Sequence, residues 1–224
     1  MGAETESLRL SRELIAVRVA RELSSGMTVN LGIGLPTLVG NFVDPDAGIM
    51  LEAENGILGY GSTSEEEFDP DLINAGGQPI QIRPGASFFD SSASFVMIRG
   101  GHIDVAVLGG LQVSEHGDLA NWSVPERGGG SIGGAMDLAV GARRLIVAME
   151  HTTRRGAARI LQECQYPLTA RRCVDLIVTD LAVIEVAARN LVLRELAPGV
   201  SADYVQGVTE PKLLMAEDLC EMQL

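Results

Sequence analysis

The run Val105-Ala106-Val107-Leu108, bracketed by Gly100-Gly101 and Gly109-Gly110, constrains the fold more than any other stretch. Four consecutive apolar residues leave no polar face for water, so both faces must be covered, as at the centre of a parallel sheet packed between helices. The glycine pairs supply tight turns at either end, so the strand begins and ends abruptly. Further short apolar runs at 27–31, 49–51, 145–149, 174–179, 183–186 and 191–193 read as strands of the same kind. The expected fold class is α/β, an open, mostly parallel sheet flanked by helices, in a single domain 1–224. A content of 46% hydrophobic but only 4% aromatic residues fits a core of Val, Ile, Leu and Ala.

Helical periodicity is clearest after Ser11, a plausible N-cap, with Glu13 in the first turn and Gly26 expected to close the segment. Ala16, Val17, Val19, Ala20 and Leu23 spread over a broad arc, opposite Arg18 and Glu22, which makes this a packing helix. Ala197-Pro198-Gly199 is expected to end the last strand, with Ser201 capping a short terminal helix. Phe88 and Phe89 are expected in the core. The acidic stretch 62–71, with Glu65-Glu66-Glu67, reads as solvated surface.

Charge narrows the function. A formal net charge of −13 argues against nucleic acid or anionic membrane as a partner, and any anionic substrate must be held by local dipoles, arginines or a second chain. No run approaches the roughly 18 apolar residues of a membrane span. Cys164, Cys173 and Cys220 match no zinc or redox spacing, and His102, His116 and His151 are not paired at metal spacing. The expectation is therefore no metal site, reduced thiols and a cytoplasmic protein. Seven arginines between Arg143 and Arg172 form either an intersubunit ion-pair surface, slightly preferred, or an anion-binding face.

Three glycine-rich junctions could carry chemistry. In the first, 49–51 delivers Glu54 into the turn Asn55-Gly56, where a carboxylate can be a nucleophile, a base or a solvated turn residue. In the second, Gly32-Ile33-Gly34-Leu35-Pro36-Thr37 is a strand–turn–helix junction whose amides either face an anion or serve close packing. It lacks the third glycine of a dinucleotide-binding loop, which weighs against a dehydrogenase. In the third, Gly128-Gly129-Gly130-Ser131-Ile132-Gly133-Gly134 feeds a helix at Ala135, where free amides suit an oxyanion. Ser131-Ile132-Gly133 is not a hydrolase nucleophile elbow.

Read together, Asn30 through Thr37, Ala53-Glu54-Asn55-Gly56, Ile98 through Asp104, Gly117 through Trp122, Gly133 through Leu138 and the run 174–179 resemble the B (beta) subunit of 3-oxoacid CoA-transferases, in the family's order. The resemblance spans 11–199. It implies the family's open α/β fold, with Glu54 as catalytic nucleophile, although Ala53 stands where the family usually has Ser. It also implies oxyanion-hole and CoA-binding amides at Gly134 and Ala135, joined by Gly32 and Gly34, with Asn55 and Gly56 positioning the turn. Ser131 replaces the first glycine of the family's loop, and Arg159 stands where the family has a lysine.

The reaction so implied is ping-pong transfer of CoA between two carboxylic acids through a glutamyl-CoA thioester. Coenzyme A is a substrate, and no cofactor is bound permanently. Succinyl-CoA with acetoacetate or 3-oxoadipate is the expected pairing, acetate with butyrate or acetoacetate a further one. The partner implied is the CoA-transferase alpha subunit, in an α2β2 tetramer. Two alternatives of the same fold are an acyl-CoA thioester hydrolase and a non-catalytic sugar-phosphate or effector-binding module, the latter having no need of the Glu54 turn.

Overall fold

The computed structural model describes residues 9–63, 69–187 and 190–224, so Glu65-Glu66-Glu67 lies outside the described residues. Ten strands form one sheet. Its centre is five parallel strands in the spatial order β2 (Met50–Ala53), β1 (Thr28–Leu31), β5 (Val105–Gly109), β8 (Arg144–Ala148) and β10 (Leu176–Val178). β5 is flanked on both sides, Val105 pairing with Val29 of β1 and with Arg144 of β8. Its first four residues are buried, as an uninterrupted apolar run requires.

The outer strands alternate in direction. β3 (Ile57–Thr63) is antiparallel to β2 and β4 (Ile80–Phe88) antiparallel to β3, while β11 (Ala182–Ala187) is antiparallel to β10 and β12 (Asn190–Leu196) antiparallel to β11. β13 (Leu213–Glu221) closes that edge parallel to β12. The short strands β6 (Gln112–Ser114), β7 (Leu119–Ala120) and β9 (Ile160–Leu161) make a separate three-stranded sheet.

Both faces of the main sheet are covered because successive strand residues point to opposite sides. A Cβ added to Gly40, in the 3-10 segment Pro36–Phe42, would touch Leu31 and Leu51 at 3.4 Å each. Helix α1 (Arg12–Ala20) packs on that segment. Glu52, one residue beyond Leu51, turns the other way and meets Ser94 of α2 (Ser91–Arg99). Helix α3 (Ala135–Gly141) lies against α2 so closely that a Cβ on Gly141 would be 2.4 Å from the Ile98 carbonyl oxygen.

Some boundaries depart from expectation. Ser11 caps α1, its Oγ accepting from the Leu14 amide at 3.3 Å, but the helix stops at Ala20 rather than near Gly26. The amides of Glu22 and Leu23 bond three residues back to Val19 and Ala20, which unwinds the last turn, and Gly26 (φ +87) serves a later turn whose amide reaches the Gly48 carbonyl. Phe88 is not core: it ends β4 and is exposed, while Phe89 is half-buried. Nor does Ala197-Pro198-Gly199 end the last strand. Ser201 caps α4 (Ala202–Gly207), its Oγ accepting from Tyr204 at 3.2 Å, and β13 follows. β13 escapes notice in the sequence because most of it is exposed and acidic residues break its apolar pattern.

The chain leaves β1 in one direction, to β2, and later returns to lay β5 on the other side of β1. The order therefore reverses between β1 and β5, and in open α/β sheets the carboxyl ends of the strands form a crevice at such a reversal.

Candidate active site

Glu54 is the first residue past the carboxyl end of β2, at that crevice. The turn that holds it is closed by the Gly56 amide, which donates to the Ala53 carbonyl at 2.9 Å, and the Phe89 amide donates to the Gly56 carbonyl at 3.0 Å. Residue 56 has to be glycine. Its φ is +113°, and a Cβ there would lie 1.9 Å from the Phe89 carbonyl oxygen. Asn55 is exposed and donates from Nδ2 to the Ile73 carbonyl at 2.7 Å, tying the turn to the segment that carries Ala75 along the crevice wall.

The crevice encloses about 630 Å³ between the ends of β1, β2 and β5 and the loop before α3, its lining including Gly32, Glu54, Gly109, Trp122, Gly134 and Leu138. Gly134 is the N-cap of α3, and a Cβ on it would stand 3.0 Å from the Phe95 ring and 3.7 Å from Glu54 Cγ. The glycine loop thus abuts the carboxylate directly. Gly130 (φ +134) lets it pass Trp122, whose carbonyl oxygen would be 2.3 Å from a Cβ.

The amides divide into two sets. Ala135 N–H donates to the Ile132 carbonyl at 3.1 Å, and Gly32 N–H to the Val107 carbonyl at 2.8 Å. Those two are spent on the loop and on the pairing of β1 with β5. The amides of Gly134 and Gly34 have no backbone partner among the described residues. Gly32 contributes instead by closeness, since a Cβ on it would meet Leu108 Cδ2 at 3.0 Å.

A polar cluster lies beneath Glu54. Asn30, fully buried in β1, donates from Nδ2 to Glu54 Oε2 at 3.0 Å and to Glu52 Oε2 at 2.8 Å. Glu52 is 1% exposed, and its other oxygen meets the Ser94 hydroxyl. Burial pushes the Glu52 carboxyl above its ordinary range, the nearby Glu54 charge adds to the rise, and the bonds to Ser94 and Asn30 oppose it. Burial and the same two carboxylates hold the Tyr60 hydroxyl protonated. Neither Asn30 nor Ser94 is a chemical candidate from sequence. The one signal in the sequence was an asparagine inside an apolar parallel strand, where a polar side chain needs a buried partner.

The arginines between 143 and 172 only partly form a common surface. Arg143 pairs with Asp104 at 2.9 Å, Arg144 with Glu22 at 2.7 Å and Arg159 with Glu150 at 3.4 Å, all within the chain. Arg154 and Arg155 have no ion-pair partner among the described residues and line a hollow with Arg127 and Arg159. A smaller hollow lined by Arg12 and Arg159 shares Gly109 and Gly110 with the crevice, so basic side chains continue from it. Of the histidines, His102 and His116 are exposed, and His151 is buried between Thr179 and Thr209 hydroxyls at 2.9 and 2.8 Å. Among the described residues no group of three or more His, Cys, Asp or Glu could hold a metal, and no helix is long and apolar enough to cross a membrane.

Fold and site together define a class: an open α/β sheet that holds a glutamate at its strand-order reversal, between glycine loops. The chain belongs to the coenzyme A transferase family, whose model, described as Coenzyme A transferase, matches residues 12–207, and it is an enzyme of that type. It is 47% identical over 214 residues to the beta subunit of an acetate CoA-transferase of Haemophilus influenzae, covering 96% of each chain. It is 52% identical over 200 residues to the B-type subunit of a succinyl-CoA:3-ketoacid coenzyme A transferase of Helicobacter pylori, covering 89% of this chain and 96% of that one. Among solved structures, an acyl-CoA transferase from Escherichia coli O157:H7 superposes with a TM-score of 0.75 at 20% identity, over 96% of this chain and 43% of the other. The chain therefore spans less than half of that enzyme. Glutaconate coenzyme A-transferase from Acidaminococcus fermentans superposes with a TM-score of 0.66 at 18% identity, over 96% and 89%. These two likenesses concern the fold.

Proposed function

We propose that this chain is the nucleophile-bearing subunit of a CoA-transferase that moves CoA from an acyl-CoA to a 3-oxo acid through a glutamyl-CoA thioester on Glu54. The observation that carries the reading is the placement of Glu54 at the strand-order reversal, hydrogen-bonded by Asn30 and abutted by Gly134.

The Glu54 carboxylate attacks the thioester carbonyl carbon, and CoA thiolate leaves, giving an anhydride between Glu54 and the acyl group. The thiolate then attacks the Glu54 carbonyl carbon, and the first acid departs as its carboxylate. A glutamyl thioester remains, and the second acid runs both steps in reverse. Each addition creates an oxyanion, for which preorganised N–H donors are worth on the order of 3–4 kcal/mol apiece. Gly134 N–H, unspent and next to Glu54, is the foremost donor, with Gly34 N–H, also unspent, in the turn after β1. Gly32 and Ala135 keep the loops close enough to exclude water, which would otherwise hydrolyse both intermediates. Asn55 and Gly56 fix the angle of the turn.

Succinyl-CoA with acetoacetate or 3-oxoadipate is the substrate pairing proposed, in keeping with a relative named for succinyl-CoA:3-ketoacid coenzyme A transfer. The names of both bacterial relatives designate one subunit of a larger enzyme, which supports an alpha-subunit partner; the α2β2 assembly and the cytoplasmic location proposed with it rest on the family resemblance alone. Val96, Met136 and Val140, exposed on α2 and α3 beside the crevice, suit a face that a second chain covers. The arginines that continue from the crevice suit the phosphates of CoA.

The test is to co-express the chain with its alpha partner and measure CoA movement with and without acceptor acid. Transfer should require the acid, with 3-oxo acids preferred over acetate and butyrate. Glu54→Ala should lose activity on the order of 10⁴-fold or more. Acid-independent release of CoA as the main reaction would make the enzyme a hydrolase, and full transfer by Glu54→Ala would remove the nucleophile.

A further inference from the structure

The cluster beneath Glu54 contains a second carboxyl group that the transfer steps do not use. Glu52 is 1% exposed, and Asn30 and Ser94 are 0% exposed. One nitrogen, Asn30 Nδ2, supplies bonds to both carboxyl groups, at 2.8 Å to Glu52 and 3.0 Å to Glu54. The amide's two hydrogens are thereby both committed, and its Oδ1 has no partner among the described residues. Nδ2 also donates to the Glu52 main-chain carbonyl at 3.4 Å, so removing the Glu52 carboxyl takes away the shortest of the bonds that orient the Asn30 amide.

We propose, resting on the reading of Glu54 as nucleophile, that Glu52 is a positioning residue: with Ser94 it fixes the Asn30 amide, and that amide fixes the direction in which Glu54 faces the crevice. The geometry is a chain from helix α2 through β2 to β1 and back to the nucleophile. Ser94 holds Glu52, Glu52 holds Asn30, and Asn30 holds Glu54 Oε2, leaving Oε1 for the substrate carbonyl.

The titratable groups facing Glu52 are Glu54, just past the end of its own strand, and Tyr60 on β3, both anionic when ionised, and no cation bonds to it among the described residues. Burial and the Glu54 charge raise the Glu52 carboxyl above its ordinary range. Ser94 Oγ donates to one of its oxygens and Asn30 Nδ2 to the other. Ionisation of both carboxyls sets two negative charges on one amide, which these two donors offset. Glutamine keeps an oxygen to accept from Asn30 and cannot ionise.

The experiment measures formation of the covalent CoA adduct in single turnover, as a function of pH, for the complex with the alpha partner. Glu52→Gln, Glu52→Ala and Ser94→Ala are compared with the unaltered enzyme. Glu52→Ala should slow adduct formation about 10²-fold, the size expected for a nucleophile misplaced by an ångström, with little change in KM. Ser94→Ala should cost less. Glu52→Gln should restore most of the rate, with a pH profile that no longer carries the ionisation of residue 52. Thermal melting of each variant checks that the fold is kept. If a folded Glu52→Ala forms adduct at the unaltered rate and with the same pH profile, Glu52 positions nothing. A Glu52→Gln variant as slow as Glu52→Ala would overturn the claim that an acceptor at residue 52 orients Asn30. Absence of any adduct in the unaltered enzyme would instead sink the reading of Glu54.

Discussion

Gly134 stands against Glu54: a Cβ at residue 134 would lie in van der Waals contact with Glu54 Cγ, at 3.7 Å, and 3.0 Å from the Phe95 ring. Two elements far apart in sequence, the turn after β2 and the cap of α3, thereby form two sides of one crevice.

Gly134→Ala therefore tests the wall rather than the fold. Its φ of −82° is ordinary for alanine, and the nearest atoms belong to the end of a half-buried phenylalanine ring that can shift. Stability should change by less than about 1 kcal/mol. Transfer should fall roughly 10- to 100-fold, because the shifted ring and the new methyl crowd the oxyanion position. Unchanged kcat and KM would show that the loop does not meet the substrate.

Gly56→Ala acts on the fold. The substitution combines a positive φ of 113° with a contact 1.9 Å from backbone oxygen, and neither the turn nor Phe89 can yield cheaply. The loss should be at least about 3 kcal/mol in urea unfolding, in line with the large costs of backbone strain and overpacking. A loss below about 1 kcal/mol would mean that the turn is not closed as described.

Asn55→Ala removes a single exposed hydrogen bond, to the Ile73 carbonyl. The stability cost should be about 1 kcal/mol or less. The turn would be freed from the segment 72–75, so transfer should slow about 10-fold, more than the stability change explains. Parallel, small changes in both quantities would reduce Asn55 to an ordinary turn residue.

His151 makes stability depend on pH. Burial lowers its folded-state pKa to about 4, with Asp180 opposing the fall and Arg9 assisting it, against an ordinary value of 6.5. The folded state keeps the ring neutral, while the unfolded chain takes up a proton below about pH 6.5. The stabilisation is therefore complete above pH 6.5 and is lost as pH falls toward 4, by about 3 kcal/mol in all. Urea midpoints across that window should decline more steeply for the native sequence than for His151→Gln. Equal slopes would show that the ring titrates normally.

Much of this was legible in the sequence because the parallel core writes itself as apolar runs. Val105-Ala106-Val107-Leu108 is buried along its length, and the strands after it occur where their runs stand. β13 and the edge strand β4 were less legible, since exposed strands carry polar residues that read as loop, and the inner strand β3 is interrupted by Gly59 and Gly61. The turn at Glu54 was visible as a carboxylate meeting Asn-Gly, and family resemblance supplied a role that position alone could not. The sequence could not reveal that Ala135 and Gly32 spend their amides on backbone bonds while Gly134 and Gly34 do not, because that depends on the loop's path. Nor could it place Asn30 and Ser94 under Glu54, since strand register and a helix from residue 91 bring them there.

The central claim is that Glu54 becomes covalently attached to CoA. The direct measurement is to mix the complex with an acyl-CoA and no acceptor acid, then weigh this chain intact and map the modified peptide after borohydride reduction. The account requires a mass gain equal to CoA less water, located at Glu54 and reversed by adding the acceptor acid. Label at any other residue, or rapid transfer with no covalent species on this chain, would contradict it.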